Sequence, residues 1–350
     1  MKRIAAPLLG ILLLAVLTAG AGEALISLSY LENDFLRSLE SAVEARLDAS
    51  DEAIRAAHGL PSGDAGTMGG RELTLKEGDI FSGPVGVTVT PLGGEIRTSG
   101  GAVVDVTEGV ALSGGQLLQN GHRYITSEAA DFTVSSPAAV LHCQGGGTLT
   151  QSLSPDYYGI ARALRSVNLF RGSGSGFGEG FDLHLAPTRG EGLVMFLRIL
   201  GEEEQALACT EVHPFTDVPA WLDRYVAWAY ARGYANGVSA SRFGCGDPIS
   251  AVEYEEFLLR AMGYSVAGVD NYATSLERAL TNELLTKGEY VMLREQPFLR
   301  AHVAYISYYA LESPLSGGEQ TLAQRLTAAG VMTEEQLYGA REAVSSSRLA

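Results

Sequence analysis

The sequence predicts an α+β multidomain protein: an N-terminal helix, a small all-β domain of sandwich or roll type, and an all-α domain of repeated helical units. Three observations predict it. Apolar residues recur at helical spacing before residue 60, short Gly/Thr/Val/Ser-rich runs fill residues 72–153, and helices separated by loops run from Pro155 onward.

Composition sets the outer limits. A chain of 350 residues with 46% hydrophobic content can build two or three domain cores. Twenty-five Lys and Arg stand against 41 Asp and Glu, a formal net charge of -16, which leaves no basic face for a nucleic-acid backbone.

Residues 1–24 read as a secretory signal peptide: a basic start at Lys2-Arg3, an apolar run from Ile4 to Leu17, and small residues at Ala19-Gly20-Ala21, with cleavage after Ala21 or Ala24. The apolar run is shorter than the roughly 20 residues of a bilayer span. The expectation is an exported mature protein without a transmembrane span. Residues 25–60 read as an amphipathic helical segment, with Phe35, Leu36, Leu39, Val43, Leu47 and Ile54 in helical register and an end near Gly59-Leu60-Pro61.

Residues 72–153 predict seven to nine short strands. Val85 to Thr90, Val103 to Val106, Tyr124 to Thr126 and Ala139 to Cys143 are the clearest, punctuated by Gly93-Gly94, Gly100-Gly101, Gly114-Gly115 and Asn120-Gly121. Its acids, Asp79, Asp105, Glu108, Glu128 and Asp131, lie in a glycine-rich stretch and read as turn residues.

The helical part repeats itself. "FDLHLAPTRGEGLVMFLRILG" (Phe181 to Gly201) aligns with "FGCGDPISAVEYEEFLLRAMG" (Phe243 to Gly263). A weaker third copy starts a helix at Leu299-Arg300. Thr188, Ser250 and Leu299 lie 62 and 49 residues apart. The units span residues 155–208, 211–265 and 270–314, the third degenerate, and 317–350 reads as two short helices with Thr333-x-x-Gln336 as a capping box. Thr188-x-x-Glu191 and Ser250-x-x-Glu253 are capping boxes of the same kind. Arg189 occupies the first helical position, where backbone amides and the helix dipole favour an anion and a guanidinium fork can hold a carboxylate.

The glycine-rich loop "RGSGSGFGEG" (Arg171 to Gly180) lacks the G-x-G-x-x-G spacing and has no following Gly-Lys-Ser or Gly-Lys-Thr, so it is a connector and not a phosphate cradle. The six histidines are scattered without HExxH, and no cofactor or metal is implied. Of three cysteines, Cys209 and Cys245 are either a disulfide or two buried thiols.

Copy two, with Asp217, Val218, Trp221, Gly233, Gly237, Phe243, Pro248 and Glu253, resembles an S-layer homology module, and copy one keeps the Thr-Arg-x-Glu helix start at Thr188 to Glu191. The resemblance implies a pseudo-threefold repeat domain and an exported protein of Gram-positive type. It also implies non-covalent anchoring at the cell wall to a secondary polysaccharide bearing a pyruvate ketal, with further contacts to surface-layer proteins. The implied glycan contacts are Arg189 and Arg300, with Thr188, Glu191, Asp217 and Trp221. Asp217 could equally cap the helix entering at Trp221, and Trp221 reads as core ahead of a sugar platform. Ala251 departs from the family arginine, and Leu299 and His302 depart from its hydroxyl and glutamate. The expectation is a non-catalytic surface protein. The alternatives are a degenerate scaffold mediating protein contacts without glycan, or a wall-polymer enzyme with its site in the β domain.

Overall fold

The computed structural model describes residues 36–57, 70–174, 176–265 and 274–350, so the signal segment lies outside the described residues. The chain divides into two units, Met1–Asp51 and Glu52–Ala350, with the division inside helix α1 (Leu36–Ala57). No helix among the described residues is long and apolar enough to cross a membrane.

Within the second unit, ten strands form two antiparallel sheets, more than the seven to nine expected. They are β1 (Arg71–Lys76), β2 (Ile80–Gly83), β3 (Thr88–Gly93), β4 (Ile96–Thr98), β5 (Val103–Asp105), β6 (Val110–Leu112), β7 (Tyr124–Thr126), β8 (Ala130–Val134), β9 (Ala138–Gln144) and β10 (Thr148–Thr150). One sheet runs β1-β9-β3-β7-β5-β6 and the other β10-β2-β8-β4. Between them pack Leu75, Phe81, Val89, Ile96, Tyr124, Phe132 and Leu141. The buried acids hold turns: Asp79 accepts the amides of Lys76 (3.0 Å) and Ser152 (2.7 Å), and Asp105 those of Thr107 (2.9 Å) and Glu108 (3.1 Å). Below the division in α1, Arg55 donates to the Gly86 carbonyl (2.7 Å) and Thr88 Oγ1 (3.0 Å).

Strand β9 belongs to two cores. Successive side chains on a strand point to opposite faces. Ala139, Leu141 and Cys143 therefore fill the sandwich while Ala138 and Val140 join the helical core. Burial on both faces explains why this strand reads as a continuous apolar run.

Eleven helices are described in all, α1 and ten after the sandwich: α2 (Tyr157–Ser166), α3 (Arg189–Ile199), α4 (Glu203–Leu207), α5 (Asp223–Ala231), α6 (Ala251–Ala261), α7 (Ser275–Thr281), α8 (Lys287–Glu295), α9 (Arg300–Glu312), α10 (Leu322–Ala328) and α11 (Glu334–Glu342). The helices α2, α5 and α7 each end on a left-handed residue, Asn168 (φ 59°), Gly233 (φ 69°) and Glu283 (φ 59°). In each case the next amide turns back to a carbonyl five residues earlier at 2.9 Å: Leu169 to Leu164, Tyr234 to Ala229, and Leu284 to Ala279. Four residues past the first two closures stand Gly172 and Gly237. A Cβ on Gly172 would lie 2.0 Å from the Gly180 carbonyl oxygen, and one on Gly237 would lie 2.3 Å from the Phe215 ring. Close approach therefore demands glycine at both. In the connector after Gly172, the Ser173 amide donates to Gly180 O (2.8 Å) and the Gly178 amide to Glu72 Oε1 (2.7 Å), which ties this loop to β1.

The helices α3 and α6 and the last helix of the third unit, α9, meet centrally. The Phe196 ring lies 5.5 Å from Phe257 and 6.5 Å from Tyr254, and the Tyr254 hydroxyl meets Ser307 Oγ at 2.8 Å.

Candidate functional site

The N-terminus of each central helix is built by its cap. Thr188 Oγ1 accepts the Glu191 amide (3.2 Å) while Glu191 Oε2 accepts the Thr188 amide (2.8 Å), and Ser250 and Glu253 repeat the arrangement at 3.4 and 2.8 Å. At α9 the first cap residue is Leu299, which has no acceptor, and His302 Nδ1 accepts its amide at 3.1 Å. Burial pushes the His302 imidazole down to about 4, so the ring is neutral, and its Nε2–H points at Gln296 Oε1 (3.3 Å).

These helix starts dock on the loop of another unit. The Arg189 and Gly190 amides donate to the carbonyls of Asp247 (2.8 Å) and Cys245 (3.0 Å), and the Arg300 and Ala301 amides to those of Leu185 (2.9 Å) and Leu183 (3.0 Å). Leu185 and Asp247 are 62 residues apart, as are Leu183 and Cys245, the same offset as Thr188 and Ser250. One joint geometry is therefore used twice.

The arginines are the pins of these joints. Arg189 is 1% exposed; its Nη1 donates to Glu253 Oε1 at 2.7 Å, its Nη2 to the Asn236 carbonyl at 2.8 Å, and its guanidinium lies 5.1 Å from the ring centres of both Phe243 and Phe257. Arg300 is buried likewise, with Nε on the Phe181 carbonyl (2.9 Å) and Nη2 on that of Arg171 (3.5 Å). Arg171 and Asn236 each stand three residues past a left-handed closure, so the two arginines reach equivalent carbonyls. Desolvation lowers the Arg300 pKa, and the carboxylates of Glu191 and Asp182 oppose that shift.

The remaining expected residues separate. Asp217 does not cap the helix entering near Trp221, because α5 begins behind Leu222. It pins the loop instead, with Oδ1 on the Phe243 amide (2.7 Å) and Oδ2 on the Gly244 amide (2.8 Å). Burial would raise its pKa, but those amides and Arg242 outweigh burial and hold the carboxyl below its usual value. Trp221 is 60% exposed, which removes the reading of it as core, since the chain turns it outward ahead of α5. Thr188, Arg189 and Asp217 thus gather around one joint, and Arg300 lies at another, where Glu191 acts on its charge. Cys209 and Cys245 are free thiols; Cys245 Sγ donates to the Asp217 carbonyl at 2.7 Å.

Nothing near Arg189 in the sequence marks Glu253 or Asn236 as its partner. Glu253 carried a signal for its cap but none for a partner 64 residues away. No protein-family model and no curated protein sequence matches the chain.

Proposed function

We infer that this is a non-catalytic scaffold protein of the cell exterior, in which degenerate helical repeats carry the β sandwich and mediate protein contacts without binding glycan. The observation that carries the reading is the Arg189–Glu253 pair, 2.7 Å apart with Arg189 only 1% exposed. The guanidinium that could have held an acidic sugar holds a carboxylate of its own chain. Asp79 and Asp105, engaged with turn amides, support the non-catalytic part. Export rests on the signal-like residues 1–24.

Anchoring to an anionic wall polysaccharide is the second reading, favoured by Trp221, whose ring is exposed four residues after Asp217 in the sequence. Co-sedimentation of the signal-less protein with purified wall sacculi separates the two. The scaffold reading expects the protein to stay in the supernatant. Pelleting that Trp221→Ala abolishes would overturn it in favour of anchoring.

A further inference from the structure

The three joints are not equally equipped. Arg189 meets Glu253 at the third helical position of the next unit, and Arg300 faces the corresponding Glu191 electrostatically. By the same relation the third joint matches Ala251 with His302, so both members of the charged pair are replaced together and the joint lacks its pin.

The C-terminal segment docks beside it, on Tyr305, one turn beyond His302 in α9. Arg348, in the segment after α11, donates Nε to Glu289 Oε1 (2.7 Å) and Nη2 to Glu289 Oε2 (2.8 Å) and to the Leu284 carbonyl (2.6 Å), with its guanidinium 4.8 Å from the Tyr309 ring centre. Carboxylate, loop carbonyl and aromatic ring are the same three kinds of partner that surround Arg189. Leu284 is the residue directly after the left-handed closure of the third unit. The next residue fastens the segment further. The Leu349 amide donates to the Tyr305 hydroxyl (2.8 Å), and its carbonyl accepts from Thr286 Oγ1 (2.7 Å). Glu255, one turn after Ala251 on α6, feels the charges of both Glu289 and Arg348.

We propose that residues Ser345–Ala350 are a built-in strap that seals the third joint, Arg348 supplying from the strap the guanidinium that Ala251 does not supply. While the strap is docked, that joint is closed to any outside ligand or partner. The strap also fixes α8, whose first turn carries Thr286 and Glu289 at the seam.

Hydrogen exchange on the full chain tests this. In the wild type the Leu349 and Glu289 amides should exchange at least about 10-fold more slowly than in an unstructured peptide, because Tyr305 holds the Leu349 amide and Thr286 Oγ1, which the Leu349 carbonyl engages, holds that of Glu289. Arg348→Ala should bring Leu349 to the peptide rate and speed Glu289 by about 10-fold, while Gly190, at the first joint, keeps its wild-type rate. Tyr305→Phe removes one acceptor without touching the charges and should speed Leu349 alone, which keeps the test open if Arg348→Ala fails to fold. The proposal is overturned if Leu349 already exchanges at the peptide rate in the wild type, if Arg348→Ala speeds Glu289 and Gly190 equally, or if Tyr305→Phe leaves Leu349 protected.

Discussion

Arg189 and Glu253 stand 64 residues apart in the chain and 2.7 Å apart in space, one at the first turn of α3 and the other at the first turn of α6. The pair ties two helical units together at their starts. Breaking a buried pair from one side costs more than the pair itself contributes, because the partner is left desolvated.

Arg189→Ala should therefore lower unfolding free energy by about 3–5 kcal/mol. Glu253→Gln, which keeps one acceptor oxygen of the two that serve the cap and Nη1, should cost about half as much or less, since the side chain is 23% exposed and water can solvate the remaining groups. Urea unfolding of the two variants checks the order.

Gly237→Ala should destabilise by about 1–3 kcal/mol, because the new methyl must displace the Phe215 ring and the Arg242 carbonyl oxygen, 2.3 and 2.4 Å from the ideal Cβ. Gly246→Ala meets nothing within 4 Å and should be neutral or stabilising by up to about 1 kcal/mol through loss of unfolded-chain freedom. Thermal unfolding of both variants distinguishes steric demand from simple glycine content.

Two buried groups set opposing pH slopes. His302 has a folded pKa of about 4 against 6.5. The unfolded chain binds its proton first, so stability is complete above pH 6.5 and falls as pH drops toward 4, by about 3 kcal/mol in all. Glu255 is raised from 4.5 to about 8, chiefly by burial and then by Glu289. Its folded form keeps the proton, so its contribution is complete below pH 4.5 and is lost as pH rises toward 8. Between pH 4.5 and 6.5 the two slopes nearly cancel. His302→Gln should unmask a fall in stability with rising pH, and Glu255→Gln should unmask a rise and add about 3 kcal/mol at pH 7. Denaturation midpoints measured from pH 4.5 to 8 read both signs.

The shared strand should make the sandwich and the helices one cooperative body. Wild type should melt in a single calorimetric transition, and Val140→Asp, which places a charge in the helical core, should split or broadly lower it. A split in the wild-type melt would show that β9 does not couple them.

The legible parts of this fold were those with a local cause. Thr188 and Ser250 announce helix starts through residues three positions away, and β9 announces itself because both faces are apolar. The strands read most clearly, β3, β5, β7 and β9, all lie in the six-stranded sheet. The other sheet was blurred because β8 alternates buried and exposed residues and β10 is a short, exposed edge. The internal repeat located the joints, but what fills them depends on partners far along the chain. Arg189 looked like a ligand residue because its acceptors, Glu253 and Asn236, leave no mark near it. Arg348 gave no sign at all, set in a polar run of serines whose docking depends on Glu289 and Tyr305.

The double burial of β9 also bears on the order in which the protein is made. Synthesis runs from the N-terminus, so β9 is complete before any of α2 to α11 exists, and the sandwich can close early around Leu141 and Cys143. Until the helices arrive, Ala138 and Val140 form an apolar stripe facing water on a finished sheet. The young sandwich is a template awaiting its cover, and α2, carrying Tyr157 and Tyr158 into the same core, is the first helix to reach it.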